Sequence, residues 1–169
     1  MTVREVYGDL LEQDVEVIVN PWNRNFIPWW LLLPQGVSGA IKKRGGIQPF
    51  TEVRKHGLLD LGQAVQTSAG RLPFKAIIHV AGLQAYWVAS ERSIRLSTEN
   101  ALRLAIEAKY QSLAFPIIGG GAGGAQVERA TTWMKDVISK HAHPPDTRLV
   151  FFKAASDTKD GSQGPNRGT

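Results

Sequence analysis

Two near-continuous apolar segments constrain the fold of this chain more than any other feature. They are AIIHVA at 76–81 and SLAFPII at 112–118, and both lack the regular polar positions of a strand with one face in water. A strand that is apolar on both sides belongs in a sheet covered on both faces. Further short runs with Val, Ile or Phe predict additional strands at 3–7, 15–19, 63–68 and 148–152.

Two amphipathic segments between these strands are predicted to form helices that cover the sheet. Apolar residues recur at helical spacing in 91–109, and Ser90 stands where an N-cap is expected. The same spacing recurs in 126–141, where one apolar stripe includes Trp133 and Met134. Both side chains are therefore predicted to lie in the core rather than in a binding site.

A third, shorter helix is predicted from Val37 to about Arg44, ended by Gly45 and Gly46. Helices on both faces of such a sheet predict an α/β fold, a three-layer α/β/α sandwich around a mixed, mostly parallel sheet. With 169 residues and 43% hydrophobic content, the chain is long enough for one core. We expect one domain over 1–153 and a polar, flexible tail over 154–169.

Composition disfavours several classes of protein. The chain has no cysteine, which excludes disulfides and thiolate metal sites, and its four histidines lack metal-ligand spacing, so we expect no metal. No apolar run approaches the roughly 20 residues that span a bilayer. We therefore expect a cytoplasmic protein without membrane contact, a monomer by default. The net charge of +5 is scattered, which favours solvated helix ends over a nucleic-acid patch and also suits a small anionic ligand.

A glycine run, GGGAGG at 119–124, follows one predicted strand and precedes a predicted helix. It formally fits the G-x-G-x-x-G pattern of dinucleotide oxidoreductases. That function is disfavoured because the run lies in the last third of the chain and the acid that should follow, Asp136, falls inside a helix. Glycine amides ahead of a helix still form an anion cradle, for which phosphate is the natural occupant.

Four stretches in order resemble the macrodomain family, the α/β/α fold that binds ADP-ribose. They are YGDLL at 7–11, VEVIVNPWN at 15–23, PQGVSGAI at 34–41 and SLAFPIIGGGAGG at 112–124. The likeness is to a bacterial-type single macrodomain with an unusual aromatic first loop. It extends to about Lys153 and implies ADP-ribose, or an ADP-ribosylated protein or nucleic acid, as the partner, with no cofactor.

The resemblance also implies the layout of a site. Adenine would meet a carboxylate and an aromatic ring, the two loops would hold the diphosphate, and an asparagine would hold the distal ribose. The adenine-binding residues would be Asp9, Leu10 and Phe152; the diphosphate-binding residues Gly36, Val37, Ser38, Gly119, Gly120, Gly121, Ala122 and Gly123; and the catalytic residues Asn23, Arg24, Asn25, Gly36 and Ser38. From the residues alone, Asp9 is equally an ordinary turn aspartate and Phe152 equally a core side chain.

Three departures from the family pattern bear on activity. Pro34 and Gln35 precede Gly36 where many relatives carry glycines, Ser38 stands where the best-known hydrolase branch has an aspartate, and Gly123 stands where relatives often place an aromatic. Compared with typical relatives, the first loop between Asn23 and Gly36 is lengthened, and its extra residues are bulky and apolar. One hypothesis is that its aromatic side chains cover the distal ribose as a lid, and the alternative is that they pack under the loop or form a protein contact surface. The residues concerned are Trp22, Phe26, Trp29 and Trp30.

The resulting functional prediction is an ADP-ribosyl hydrolase that removes mono-ADP-ribose by substrate-assisted attack of water at C1″ of the distal ribose. A carboxylate is not required if the ligand diphosphate orients the water, so Ser38 does not exclude this activity. Two alternatives remain open: a non-catalytic reader of ADP-ribosylation and a nucleic-acid-binding macrodomain. His79, within AIIHVA, is predicted to be a core histidine rather than a base.

Overall fold

The computed structural model describes residues 3–24, 36–83, 89–120 and 124–152. All six predicted strands and all three predicted helices are present, with ends shifted by a few residues. In chain order the elements are β1 (Arg4–Tyr7), a 3-10 turn (Leu10–Glu12), β2 (Val17–Asn23), α1 (Gly36–Gly45), α2 (Gln48–Arg54), β3 (Ala64–Thr67), β4 (Ala76–Leu83), α3 (Glu91–Glu107), β5 (Ser112–Pro116), α4 (Gly124–Ser139) and β6 (Asp146–Phe151). The 3-10 turn and α2 were not predicted.

The described strands form one sheet in the order β1-β6-β5-β2-β4-β3. Strand β3 runs antiparallel to β4, whereas the other neighbouring strands are parallel, which confirms the predicted mixed, mostly parallel sheet. Helices α3 and α4 contribute to the core on one face, and α1 and α2 contribute to the core on the other. The three-layer α/β/α sandwich is therefore confirmed.

Strand β2 shows why the central strands are almost continuously apolar. Val17 and Val19 point into the core shared with α3 and α4, while Ile18 and Trp22 point into the core shared with α1 and α2. Successive side chains alternate between the two faces of a strand, so a strand buried on both faces needs apolar residues at nearly every position. Ile18 and its two neighbouring valines are fully buried.

The predicted helix details are largely as expected. Ser90 caps α3, with its hydroxyl accepting a hydrogen bond from the Ser93 amide at 3.1 Å, and the Ser93 hydroxyl accepts from the Ser90 amide at 2.9 Å. Met134 is fully buried in the core, and Trp133 packs against that core while partly buried.

Within the described part of the chain, no helix is long and apolar enough to cross a membrane. The predicted tail over 154–169 lies outside the described residues.

The topology identifies where a ligand-binding crevice is expected. The chain leaves β2 towards β4 by way of α1, α2 and β3, and it leaves β5 towards β6 by way of α4. Because β2 and β5 are neighbours whose connections diverge, the carboxyl ends of these two strands form a switch point. Open α/β sheets bind ligands in the crevice at such a point.

Candidate functional site

The carboxyl ends of β1 and β6 bring two of the predicted adenine-binding residues together. Tyr7 pairs with Phe151 in register, and the Gly8 amide donates to the Phe151 carbonyl at 2.9 Å. Asp9 and Phe152 therefore follow adjacent strands at the same edge of the sheet. Phe152 is 82% exposed, so the alternative that it is a core side chain is wrong. An exposed ring at this position is able to stack on a purine.

Asp9 has two structural partners. Its Oδ1 accepts a hydrogen bond from the Leu11 amide at 2.8 Å and so caps the 3-10 turn, while Leu10 is buried beneath. Its Oδ2 accepts from Nη1 of Arg44 at 3.1 Å, and Nη2 of the same guanidinium pairs with Glu12 at 2.6 Å. An ionised carboxylate has about four lone-pair sites, so these two bonds leave capacity for an adenine amino group.

The glycine turn after β5 has a fixed and crowded geometry. Gly119 has a φ of +77°, and a Cβ added to it would lie 2.7 Å from the Cβ of Ala89. Only glycine fits such a position without strain or movement of its neighbours. Gly120 follows and α4 begins at Gly124, whereas the remaining predicted phosphate-binding residues lie outside the described part of the chain. These residues are Gly121, Ala122 and Gly123.

The amino-terminal turn of α1 contains the other predicted diphosphate-binding residues. The helix begins at Gly36, which has a φ of +66° and open space around the position of a Cβ, and Val37 and Ser38 follow within the first turn. The first amides of a helix have no partner within it, and the helix dipole favours an anion there. The first turn of α1 carries no acid, and its basic residues are in the last turn, as that dipole favours.

The end of β2 contains the predicted ribose-binding residues. Asn23 is only 4% exposed and follows an irregularity in the pairing of β2 with β4. Arg24 is held by Leu59, since its Nε donates to the Leu59 carbonyl at 2.7 Å and its own carbonyl accepts the Leu59 amide at 3.2 Å. The predicted catalytic residue Asn25 lies outside the described residues.

Trp22 is buried in the core and is not exposed as a lid over a ligand would be. It is 2% exposed, and its ring centroid is 5.4 Å from that of Phe50 and 6.0 Å from that of His79. A side chain packed in this way is part of the core between the sheet and α2. The lid hypothesis is therefore corrected for Trp22, which is a core side chain. The other predicted lid residues, Phe26, Trp29 and Trp30, lie outside the described residues.

A buried polar chain next to this site was not predicted. The Ser38 hydroxyl lies 2.9 Å from Oδ1 of Asn20, Nδ2 of Asn20 lies 3.0 Å from Nδ1 of His79, and Nε2 of His79 lies 2.9 Å from Oγ1 of Thr67. Asn20 and His79 are fully buried, and Thr67 is 4% exposed. Burial lowers the pKa of His79 to about 3, so its imidazole is neutral at physiological pH. The prediction that it is a core histidine is confirmed.

A signal for this chain was present in the sequence. Asn20 and His79 are polar residues within otherwise apolar strands, and the parallel register of β2 and β4 pairs them directly. Polar groups inside a core require hydrogen-bond partners, so each of the two residues indicates the other.

The sheet order and the helices on both of its faces define an α/β domain with a topological switch point between β2 and β5. The chain belongs to the macrodomain family: the family model described as Macro domain matches residues 19–134. A Macro domain-containing protein from Streptomyces griseus is 38% identical over 162 residues, covering 90% of this chain and 88% of the relative. An O-acetyl-ADP-ribose deacetylase from Citrobacter koseri is 34% identical over 158 residues, covering 86% and 85%.

Solved structures agree with this assignment. An Oceanobacillus iheyensis macrodomain with ADP superposes with a TM-score of 0.73 at 27% identity, covering 90% of this chain and 84% of that one. A variant of the same macrodomain with ADPR gives a TM-score of 0.73 at 27% identity and covers 90% and 86%. The recognition of the family from the sequence is confirmed.

Proposed function

We propose that this chain binds ADP-ribose along the carboxyl edge of its sheet and hydrolyses mono-ADP-ribose from modified macromolecules. The observation that carries the proposal is the order of groups along that edge. Asp9 and Phe152 follow β1 and β6, the glycine turn follows β5, and Asn23 ends β2. Strands lie about 4.8 Å apart, so these groups extend over roughly 14 Å. The two Oceanobacillus macrodomain structures, with ADP and with ADPR, support the same type of ligand.

The charge pattern of the sequence supports the placement of the diphosphate. Acidic residues are absent from 17–51, 61–90 and 108–127, the segments that include α1, β4 and the glycine turn. Asp9 is near the adenine end, where a carboxylate is able to accept a hydrogen bond from N6. A diphosphate between the first turn of α1 and the glycine turn would therefore meet amide donors and no nearby carboxylate from those segments.

The same pattern favours water activation by the substrate itself. The oxygen of water attacks C1″, the bond from C1″ to the leaving oxygen breaks, and the electron pair departs with the leaving group. The proton of the water passes to an oxygen of the diphosphate. Asn23 fixes the ribose hydroxyls, Arg24 and Asn25 contact the ribose or the leaving group, and the amides of Gly36, Val37 and Ser38 hold the phosphate and the water.

Protonation of the leaving group sets the substrate preference. The acid-free segments supply no carboxylic acid, and His79 is buried and neutral, so neither is suited to protonate a leaving group at C1″. A carboxylate or phosphate departs as a stable anion without a proton, whereas an alkoxide or a guanidine group requires one. The proposed substrates are therefore ADP-ribose joined to an acidic side chain or to a terminal phosphate.

A second candidate reaction is deacetylation of O-acetyl-ADP-ribose. Two Citrobacter relatives at 33–34% identity carry the name O-acetyl-ADP-ribose deacetylase. In this reaction water attacks the acetyl carbonyl carbon, the bond from that carbon to the ribose oxygen breaks, and the ribose oxygen takes up a proton as acetate is released. The chemistry therefore differs from attack at C1″. Incubation with O-acetyl-ADP-ribose and detection of acetate tests this reaction separately.

The main test combines calorimetry with a turnover assay. Titration with ADP-ribose measures binding, and an auto-modified mono-ADP-ribosyltransferase supplies substrate from which released ADP-ribose is followed. Asn23→Ala is expected to abolish release, because the ribose hydroxyls lose the side chain that fixes them. Tight binding without release would instead identify a reader. Weak ADP-ribose binding with strongly salt-dependent RNA binding would identify a nucleic-acid module.

A further inference from the structure

The direction of the hydrogen bonds along the buried polar chain follows from Thr67, at the end opposite Ser38. The Thr67 hydroxyl donates its hydrogen to the Ser68 carbonyl at 2.9 Å, so it can only accept from Nε2 of His79. The neutral imidazole therefore carries its hydrogen on Nε2 and presents Nδ1 as an acceptor. Nδ1 receives a hydrogen bond from the Asn20 amide group, which directs Oδ1 of Asn20 towards Ser38.

This direction determines what Ser38 offers to a ligand. Its only hydroxyl hydrogen is donated inwards to Asn20, so the lone pairs of Oγ are its remaining hydrogen-bonding capacity. Ser38 is partly exposed in the first turn of α1, whereas Asn20 is fully buried. The side chain is therefore an acceptor at the surface of the site, while the backbone amide of the same residue remains a donor for an anion.

We propose that Thr67, His79 and Asn20 act as positioning residues that hold the Ser38 hydroxyl as the acceptor for the attacking water. The inference rests on the proposed hydrolase function. The water donates one hydrogen bond to Oγ of Ser38 and the other to a diphosphate oxygen, which later receives the proton. A lone pair of the water oxygen is then directed at C1″. Ser38 thus supplies an acceptor without adding negative charge beside the diphosphate.

The orientation of the chain is testable without turnover. Nitrogen-15 NMR of the full chain at pH 7 distinguishes the two neutral tautomers of His79. The expected result is a hydrogen on Nε2 and none on Nδ1. A hydrogen on Nδ1 would require Asn20 to present its oxygen to His79 and its amide group to Ser38, and that result would overturn the inference.

Substitution of Ser38 tests the role of its oxygen. Ser38→Ala keeps the backbone amide and removes Oγ, so kcat is expected to fall about tenfold or more while KM and the Kd for ADP-ribose stay within about twofold. Ser38→Thr retains the hydroxyl and is expected to recover most of the lost rate. An equal loss in both variants, or no loss in Ser38→Ala, would overturn the water-positioning role.

A variant remote from the ligand tests the positioning chain. Thr67→Val removes the acceptor for Nε2, which favours the other tautomer and reverses the Asn20 amide. The expected result is a fall in kcat of about fivefold to tenfold with unchanged ADP-ribose affinity and a hydrogen on Nδ1 of His79. Thr147→Val is the matched control, since Thr147 is 2% exposed and its hydroxyl donates to the Pro145 carbonyl at 2.8 Å, away from the site.

The outcomes separate this inference from the function on which it rests. If the unmodified chain releases no ADP-ribose from any substrate, the hydrolase assignment fails and the water-positioning role fails with it. If the chain is active but Thr67→Val behaves as Thr147→Val does, the hydrolase assignment stands and the positioning chain is overturned.

Discussion

Asn20 and His79 are joined across β2 and β4, with Nδ2 of Asn20 3.0 Å from Nδ1 of His79, at a point where both side chains are fully buried. Burial dominates the environment of the imidazole and lowers its pKa from 6.5 to about 3, although the negative charge of Glu52 opposes the shift. The folded state therefore resists protonation of His79. This resistance makes the stability of the fold depend on pH.

The expected dependence has a defined sign. Between pH 6.5 and about 3 the unfolded chain protonates His79 and the folded chain does not, so stability is lost as the pH falls through this range. The loss is about 1.4 kcal/mol per pH unit, or about 2 kcal/mol between pH 6.5 and pH 5. Urea unfolding followed by circular dichroism at these two pH values measures the change.

His79→Gln is the control for this pH effect. Its amide keeps one donor and one acceptor but does not titrate, so the difference in stability between pH 6.5 and pH 5 is expected to shrink by about 2 kcal/mol. Glu16, Glu52 and Asp136 do not interfere at these values, because hydrogen bonds lower their pKa values and keep them ionised. An unchanged pH dependence in His79→Gln would show that another group is responsible.

Local patterns in the sequence explain why so much of the fold was predictable. Strands with two apolar faces and helices with one apolar stripe follow from periodicity, and Ser90 marks the start of α3 by its own chemistry. Helix α2 was missed because it has only seven residues, too few for a periodic pattern. Its Pro49, close to the start of the helix, was the available signal.

The candidate site was predictable where it depends on residues close in sequence or on family motifs, and less so where it depends on long-range contacts. The partnership of Asp9 with Arg44 spans 35 residues, and that of Asn20 with His79 spans 59. Neither follows from local pattern, because each requires the register of packed elements. The burial of Trp22 did have a local signal, since alternate residues of a strand face the same side of the sheet and Trp22 therefore faces the same core as Ile18.

Gly119 is expected to tolerate no side chain. Its positive φ penalises any L-residue, and a Cβ would lie 2.7 Å from that of Ala89, so Gly119→Ala combines backbone strain with a steric clash. We expect a loss of roughly 2–5 kcal/mol in the free energy of unfolding, from about 1–2 kcal/mol of strain and about 1–3 kcal/mol of overpacking. Thermal and urea unfolding measure the loss.

Gly57→Ala is the matched control for Gly119. Gly57 has a φ of +68°, but no atom lies within 4 Å of the position of its Cβ, so only the backbone strain of about 1–2 kcal/mol is expected. The difference between the two variants isolates the clash with Ala89. Equal losses would mean that the turn after β5 moves to accept a methyl group.

Trp22 and Phe152 are expected to give opposite results. Trp22 is 2% exposed, so Trp22→Ala should cost about 3–5 kcal/mol of stability, whereas Trp22→Phe should fold and bind ADP-ribose within about twofold of the original affinity. Phe152 is 82% exposed, so Phe152→Ala should leave stability within about 0.5 kcal/mol and weaken ADP-ribose binding several-fold. Calorimetry and unfolding are measured on all three variants. A loss of affinity in a stable Trp22→Phe would restore Trp22 to the ligand site.

Asp9 offers a test of where the adenine lies. In Asp9→Asn the amide oxygen is still able to accept from the Leu11 amide, so the cap of the 3-10 turn is retained. The Nδ2 group then takes the place of Oδ2, the oxygen that faces Arg44 in the original chain. The Nδ2 group is a hydrogen-bond donor, and so is the N6 amino group of adenine, so the two groups cannot hydrogen-bond to each other. The variant is therefore expected to bind ADP-ribose about tenfold more weakly, equivalent to about 1.4 kcal/mol.

The inosine analogue of the ligand separates this effect from general damage to the site. Hypoxanthine presents an oxygen acceptor in place of the N6 donor, so Asp9→Asn is expected to bind inosine diphosphate ribose more tightly than the original chain does. Glu12→Gln is the control, because Glu12 pairs with the same Arg44 guanidinium at 2.6 Å but is not predicted to meet adenine. It should leave both affinities within about twofold, since exposed ion pairs contribute little. If Asp9→Asn weakens the binding of both ligands equally, Asp9 stabilises the 3-10 turn and does not contact the base, and the adenine end of the site lies elsewhere.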